Sequence, residues 1–481
     1  MRKILALLLI ITYELYGQTM SIDDAIKIAL ENNRALKISR NALQIAEAQY
    51  HQAISVRYPQ VMAVVNISRM DEAPMMSVKG NMELSQDMTN AISYSGAVLT
   101  DKLYGTGTKY QDETVSSIQN GSLSAQTMPI DMDIKLMGRD TSIGRIELSY
   151  PLYSGGKIDA VIKQAVLNKS IQSEENRRNE VEVIYNVKKY YNAAILATKL
   201  NTEMEHLYEE MNAVRDLTKS FYMSGSIKVK KTDYLRTCIV VDFIESKKHE
   251  AESSVLLAKS ALINSIGLPL DTEITLTDND FNIPNTDYTL QEVVDKAYQF
   301  NPMYSQIKLA VDVSSAKIDE AKSDYYPSVG ITANIQQLNN SYDGGLNNSV
   351  NRNSWSIGIG LQWKLFEGFR TSYAVQEAQL NKVSTEHKEV LLKEGLAYQL
   401  KSIFISMGEK KDEIDILSRT KSSVIENVDL NKRAYQAEMI DTKDLIESQM
   451  METMTNLLYY KNLHDLLLLK SQYDYLLASK V

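Results

Sequence analysis

The sequence predicts an α+β membrane fold made by internal duplication, in which paired strands alternate with very long helices. Three observations carry that expectation. Residues 21–61 align without a gap on 289–329, and residues 150–157 align on 363–370. Beyond Pro59 and Pro327 the apolar period changes from helical to two. Residues 157–224 contain neither proline nor glycine and repeat their apolar positions at helical spacing. A repeat this long is no solenoid period; it reads as one architectural half written twice.

Composition narrows the classes. The chain has 481 residues and a formal net charge of −9, which gives nucleic-acid binding no electrostatic support. One cysteine, Cys238, excludes an intrachain disulfide framework and a multi-cysteine metal site. Arg2-Lys3, the apolar run 4–11 and small Gly17 form a secretory signal over residues 1–17, too short in its apolar part to span a bilayer. With no cysteine nearby, a lipid-anchored N-terminus is not expected. Any membrane crossing by the exported chain therefore falls to strands.

Each half opens with a helix. Ser21-x-x-Asp24 and Thr289-x-x-Glu292 place an N-cap before an acidic residue, the second as a capping box. Helical pattern then runs about 37 residues to Tyr58 and Tyr326, whose following prolines bar them from the α region. Val61, Ala63, Val65 and Ile67 then alternate with Met62, Val64, Asn66 and Ser68. Val329, Ile331, Ala333 and Ile335 alternate likewise with Gly330, Thr332, Asn334 and Gln336. Two further strands, 146–152 and 355–365, precede Gly155-Gly156 and Gly368-Phe369. A half-buried soluble strand shows such alternation too, but four equivalent strands behind a signal sequence favour a transmembrane barrel.

After the glycines, residues 157–224 and 370–437 predict helices of about 68 residues, roughly 100 Å at 1.5 Å per residue, which must pack sideways to be stable. Turns near Gly225 and Glu438 reverse the chain into return helices at 226–266 and 441–479. One return helix and one opening helix would stack end to end beside each long helix. The expected organisation is a first repeat over 18–268, a connecting segment at 269–288 and a second repeat over 289–481. The first half adds a polar insert at 69–141, where the second has a short link containing Asp343-Gly344-Gly345. A loop that long signals function or disorder.

The whole mature chain resembles the TolC family of outer membrane factors. The carriers are SIDDAIKIALENNRAL, the breaks YPQV and YPSV, the returns YPLYSGGK and WKLFEGFR, and the turns YMSGSIKVKKTDYL and YQAEMIDTKDLIES, in order and twice over. The resemblance implies a homotrimer with a 12-stranded β-barrel, four strands per chain, continued by an α-helical coiled-coil tunnel. Closure demands the same, because four strands alone leave open edges that lipid cannot satisfy. It further implies an outer membrane exit duct of a Gram-negative bacterium, reaching into the periplasm. Such a duct passively conducts what a periplasmic adaptor and an inner membrane pump of RND or ABC type deliver.

The resemblance also implies a constriction at the turns, with Asp444 and Glu447 as carboxylate rings and Asp233 as the first-half aspartate. Crowded carboxylates would raise their own pKa values and favour cations. The family's glycine at the second turn is Glu438 here, and its gate-linking arginine is Ile440, so no ionic latch from Asp233 to residue 440 is available. The alternative reading is a solvated acidic helix face.

No catalytic, cofactor or metal motif emerges. Gly155-Gly156-Lys157 lacks the rest of a P-loop, and His51, His206, His249, His387 and His464 have no partner at ligand spacing. Met70, Met75, Met76, Met82, Met88, Met128, Met132 and Met137 gather around the insert; thioethers suit Cu(I), yet their spacing is irregular. Tyr58, Tyr150, Tyr153 and Tyr326 fit an interfacial girdle. Three other readings stay open: a type I protein secretion duct, a surface receptor or adhesin using the insert, and a soluble periplasmic scaffold.

Overall fold

The computed structural model describes residues 18–278, 281, 289–341 and 353–478. The expected signal segment, most of 279–288 and the Asp343-Gly344-Gly345 link lie outside the described residues. Eight strands are described: β1 (Gln18–Met20), β2 (Gln60–Arg69), β3 (Met75–Glu83), β4 (Thr127–Lys135), β5 (Asp140–Tyr153), β6 (Ile274–Leu276), β7 (Ser328–Asn340) and β8 (Asn353–Gln362). They and the helices divide into two units, one drawn from residues 1–55, 156–325 and 365–481, the other from 56–155 and 326–364.

The first unit is helical and shows the duplication directly. Each half has a long helix of 67 residues, Lys157–Met223 and Arg370–Gln436, and a return helix of 36, Lys231–Ile266 and Thr442–Leu477. The opening helices are not continuous as expected. They break into Ile22–Asn32 and Arg34–Ser55, and into Leu290–Phe300 and Pro302–Ser323. The cause is an asparagine in each half. Asn33 and Asn301 take ψ 127° and 122°, and each side chain accepts a hydrogen bond from the next helix, at Ala35 N and Tyr304 N. Pro302 enforces the second break by denying Asn301 the α region. Both Ser21 and Thr289 head complete capping boxes, the first as well as the second.

The return helices end at these breaks. Gly267 closes the first with φ 79°, and a Cβ there would lie 3.1 Å from the Asn32 carbonyl, so a side chain would be strained and would push on the Asn32 backbone. Two cores lie at these junctions: Ala25, Ala29, Leu36 and Val187 with Leu262 and Ile266, and Val293, Ala297 and Leu400 with Leu466 and Leu476. A third, of Leu207, Met211, Val241, Ile244, Tyr435 and Leu445, lies nearer the turns. The parallel pair β1–β6 was not foreseen. Buried Tyr191 ties it down, its hydroxyl reaching the Met20 carbonyl at 3.0 Å and the Asp278 carboxylate at 2.8 Å. Burial is the larger cause that pushes this phenol up to about 12.

The second unit is built on an antiparallel sheet of order β2-β5-β7-β8. Its register sorts side chains by face. Ala63, Ile146, Ile335 and Trp355 form one cross-strand row, and Val61, Leu148, Ala333 and Ile357 the next. The opposite face carries Met62, Glu147, Asn334 and Ser356, then Val64, Arg145, Gln336 and Ser354. On that polar face Arg145 pairs with Glu147 at 2.7 Å, and Asn334 donates to Ser356 at 2.8 Å. The insert is not a loop: β3 and β4 form a separate antiparallel ribbon, and helices Gln86–Tyr104 and Lys109–Gln119 join its ends. No described helix is long and apolar enough to cross a membrane.

Candidate functional site

The two helix turns meet. Gly225 reverses the first hairpin at φ 80°, and Glu438 reverses the second at φ 54°, a left-handed conformation that costs a non-glycine residue about 1 kcal/mol. Glu438 has compensating bonds. Its carboxylate accepts from Ser226 Oγ at 2.7 Å, and its carbonyl accepts from Lys228 Nζ at 2.7 Å. Ser226 Oγ in turn accepts from Lys228 N at 3.2 Å. The departure from glycine thus clasps one turn to the other. The sequence signal was Glu438 itself, at a position where the turn asks for glycine; its partners Ser226 and Lys228 gave none.

Beneath the clasp a buried hydroxyl chain links both hairpins. Thr218 Oγ1 donates to the Val214 carbonyl at 2.7 Å, leaving its lone pairs for the Tyr435 hydroxyl, also at 2.7 Å. With that proton committed, Tyr435 accepts from Thr442 Oγ1 at 3.0 Å. Phe221 packs edge-on against Tyr435, ring centroids 5.8 Å apart.

A cleft of about 290 Å³ opens beside the clasp, lined in part by Lys228, Asp233, Arg236, Glu438, Ile440 and Lys443. Asp233 and Ile440 share this cleft with no ionic bond between them. Asp233 instead accepts from Lys230 N at 2.9 Å, capping its own helix, and lies 3.9 Å from Arg236. Asp444 and Glu447 are exposed on one face of the second return helix. Lys443 pairs with Glu447 at 3.3 Å, while Asp444 has no side-chain partner among the described residues. Lys443 therefore sets one cation beside the acidic pair.

Farther along the same helices, half-buried Glu452 sits among Glu210, Lys432, His206 and Glu203. Burial first, and then the Glu210 charge, raise its pKa. Lys432 bonds directly to Glu210, and Asn456 donates to Glu203 at 2.9 Å.

Pro59 and Pro327 immediately precede β2 and β7, and Gly155, Gly156 and Gly368 take left-handed φ before the long helices. Met82 faces Met128 across the ribbon, but the next pair along is Gly80 and Ile130, so no third thioether joins them there.

Residues 293–438 match the family model described as outer membrane efflux protein. The alkaline protease secretion protein AprF of Pseudomonas aeruginosa is 22% identical over 244 residues, and the chain spans about half that relative's length, 49%. Among solved structures, VceC of Vibrio cholerae, an outer membrane protein, superposes with a TM-score of 0.71 at 13% identity, covering 95% of this chain and 96% of that one. The open state of the MtrE outer membrane channel of Neisseria gonorrhoeae gives 0.70 at 14%, covering 95% and 88%. These likenesses show a shared, TolC-like fold.

Proposed function

We propose that this chain, with its outer membrane efflux protein domain and TolC-like fold, assembles as a homotrimeric duct of a Gram-negative outer membrane. The observation that carries the reading is the sheet β2-β5-β7-β8. Its apolar rows are exposed on one face, the other face is polar over β5, β7 and β8, and its edge strands β2 and β8 have no outer neighbour among the described residues. Lipid leaves such edges unsatisfied, whereas pairing β2 of one copy with β8 of the next closes them. Three copies give a 12-stranded barrel with its polar rows in the lumen.

The helical unit supports the same assembly. Tyr373, Leu380, Leu391, Tyr398, Ile405 and Ile416 are all exposed on the second long helix. Their spacing of 7 and 11 residues is the seam of a helix that packs on a partner. In a threefold arrangement the clasped turns come together as the constriction. Asp444 and Glu447 form its acidic rings, and Asp233 serves as the first-half carboxylate. Transport is passive, fed by an inner membrane pump through a periplasmic adaptor, in efflux. The AprF likeness favours a second reading, a protein secretion duct, and the type of pump captured with the chain in cells distinguishes the two.

The test is the mass of the full chain extracted in detergent from the outer membrane fraction. Three chains per particle is the expected result. Recovery as a monomer in the soluble periplasmic fraction would overturn the proposal and favour the scaffold.

A further inference from the structure

The insert carries two apolar stripes that nothing among the described residues covers. Along the ribbon, Met76, Val78 and Met82 share a face with Met128, Ile130 and Met132, because alternate residues of opposed strands point the same way. The other face is polar and holds the Lys79–Asp131 ion pair at 3.2 Å. A lone two-stranded ribbon is marginal in water, and this one exposes five of those six apolar side chains. On the following helix Ile92, Gly96, Leu99 and Leu103 step by four, three and four residues, a heptad seam, and the three apolar side chains are exposed. Gly96 has open space where a Cβ would stand, so a second helix can approach closely.

The insert is an ordered body. Buried Asp101 accepts from Thr106 Oγ1 at 2.6 Å, Tyr110 N at 3.0 Å and Gln111 N at 2.8 Å, fixing the second helix against the first. At its base the insert continues the β2–β5 pair: Met70 N donates to the Arg139 carbonyl and Leu136 N to the Pro74 carbonyl, each at 2.9 Å. Wherever β2 and β5 go, the stripes follow.

We infer that the inserts of three chains pack on one another, ribbon face to ribbon face and helix seam to helix seam, forming a cap over the outer mouth of the barrel. This rests on the trimer proposed above. Lipid does not suit the ribbon, since both edges would leave backbone groups unpaired in hydrocarbon. A second copy does suit it. Three identical stripes tied to one rim face each other at millimolar effective concentration, and a heptad seam is self-complementary. Methionine adapts its shape to such a junction.

The test uses the full chain with Cys238→Ser as background and Leu99→Cys added, in detergent-extracted trimers of verified mass. Oxidation is expected to give disulfide-linked dimers on a non-reducing gel, because near a threefold axis two of three thiols can join. Thr114→Cys, on the second insert helix away from that seam, should give none. A second variant, Leu99→Asp with Leu103→Asp, should keep the trimer mass and raise single-channel conductance several-fold. Intact Leu99→Cys trimers whose introduced thiol reacts freely with maleimide but forms no disulfide would overturn the cap and leave the trimer standing. Absence of trimers would overturn both.

Discussion

Asn33 donates from Nδ2 to the Ser265 carbonyl at 2.9 Å, joining the end of the first return helix to the start of Arg34–Ser55. Asn301 repeats the bond to the Leu476 carbonyl at 2.8 Å. Each asparagine caps one helix with its oxygen and satisfies a C-terminal carbonyl of another with its nitrogen. Asn301→Ala removes both bonds and should cost about 2 kcal/mol, read as a lowered unfolding midpoint. Asn301→Asp keeps the cap and loses the donor, so it should fall between. An aspartate variant as stable as the wild type would refute the role given to the Leu476 bond.

The sheet faces make a paired expectation. Ile357 and Ser356 are neighbours on β8 but point to opposite faces. Ile357→Arg places a charge on the face proposed to meet lipid, at about 2–4 kcal/mol near mid-bilayer, and should cut the yield of assembled protein in the outer membrane. Ser356→Arg places it on the face proposed to line the lumen and should assemble normally. Equal yields would show the face assignment to be wrong.

The Glu438 clasp should set how tightly the turns close. Ser226→Ala combined with Lys228→Met removes both donors to Glu438 and should raise single-channel conductance. Glu438→Gly alone relieves the φ strain and keeps the carbonyl acceptor, so its effect should be smaller. If the double variant conducts as the wild type does, the clasp is not part of the constriction.

Glu452 gives a pH dependence with a definite sign. Its folded pKa is raised, by burial and then Glu210, so the folded state prefers the protonated acid. That contribution is fully present below the unfolded pKa and fades as pH rises through the folded one. The Lys432, His206, Glu203 and Glu210 side chains around it set the local field. Glu452→Gln should remove this fall and stabilise the protein near neutral pH by less than about 1 kcal/mol, since the site is partly open to solvent. Unfolding midpoints measured between about pH 4 and pH 8 check it; a variant with the wild-type slope would contradict it.

Periodicity made the large elements legible. Alternation at Val61–Ala63–Val65 and again at Trp355–Ile357–Ile359 located the strands, and the proline-free run from Lys157 located the long helix to within a residue. The breaks at Asn33 and Asn301 were hidden because helical spacing continues across them, although Pro302 was a readable warning. The pair β1–β6 was hidden because three residues carry no period. In the insert, polar residues masked a ribbon whose apolar face emerges only once the register pairs Met82 with Met128. At the turns, Asp444 and Glu447 were legible as a same-face pair. The Ser226 and Lys228 contacts were not, because they join residues more than two hundred positions apart.

Single-channel recording in planar lipid bilayers tests most directly whether a trimer of this chain forms a conducting pore. Trimers of verified mass should give discrete, cation-selective openings, small in the wild type and larger in the Ser226→Ala, Lys228→Met variant. Asp444→Asn with Glu447→Gln should lower the cation preference. Silence from both the wild type and the clasp variant would contradict the account and favour a receptor that uses its insert to bind rather than a duct.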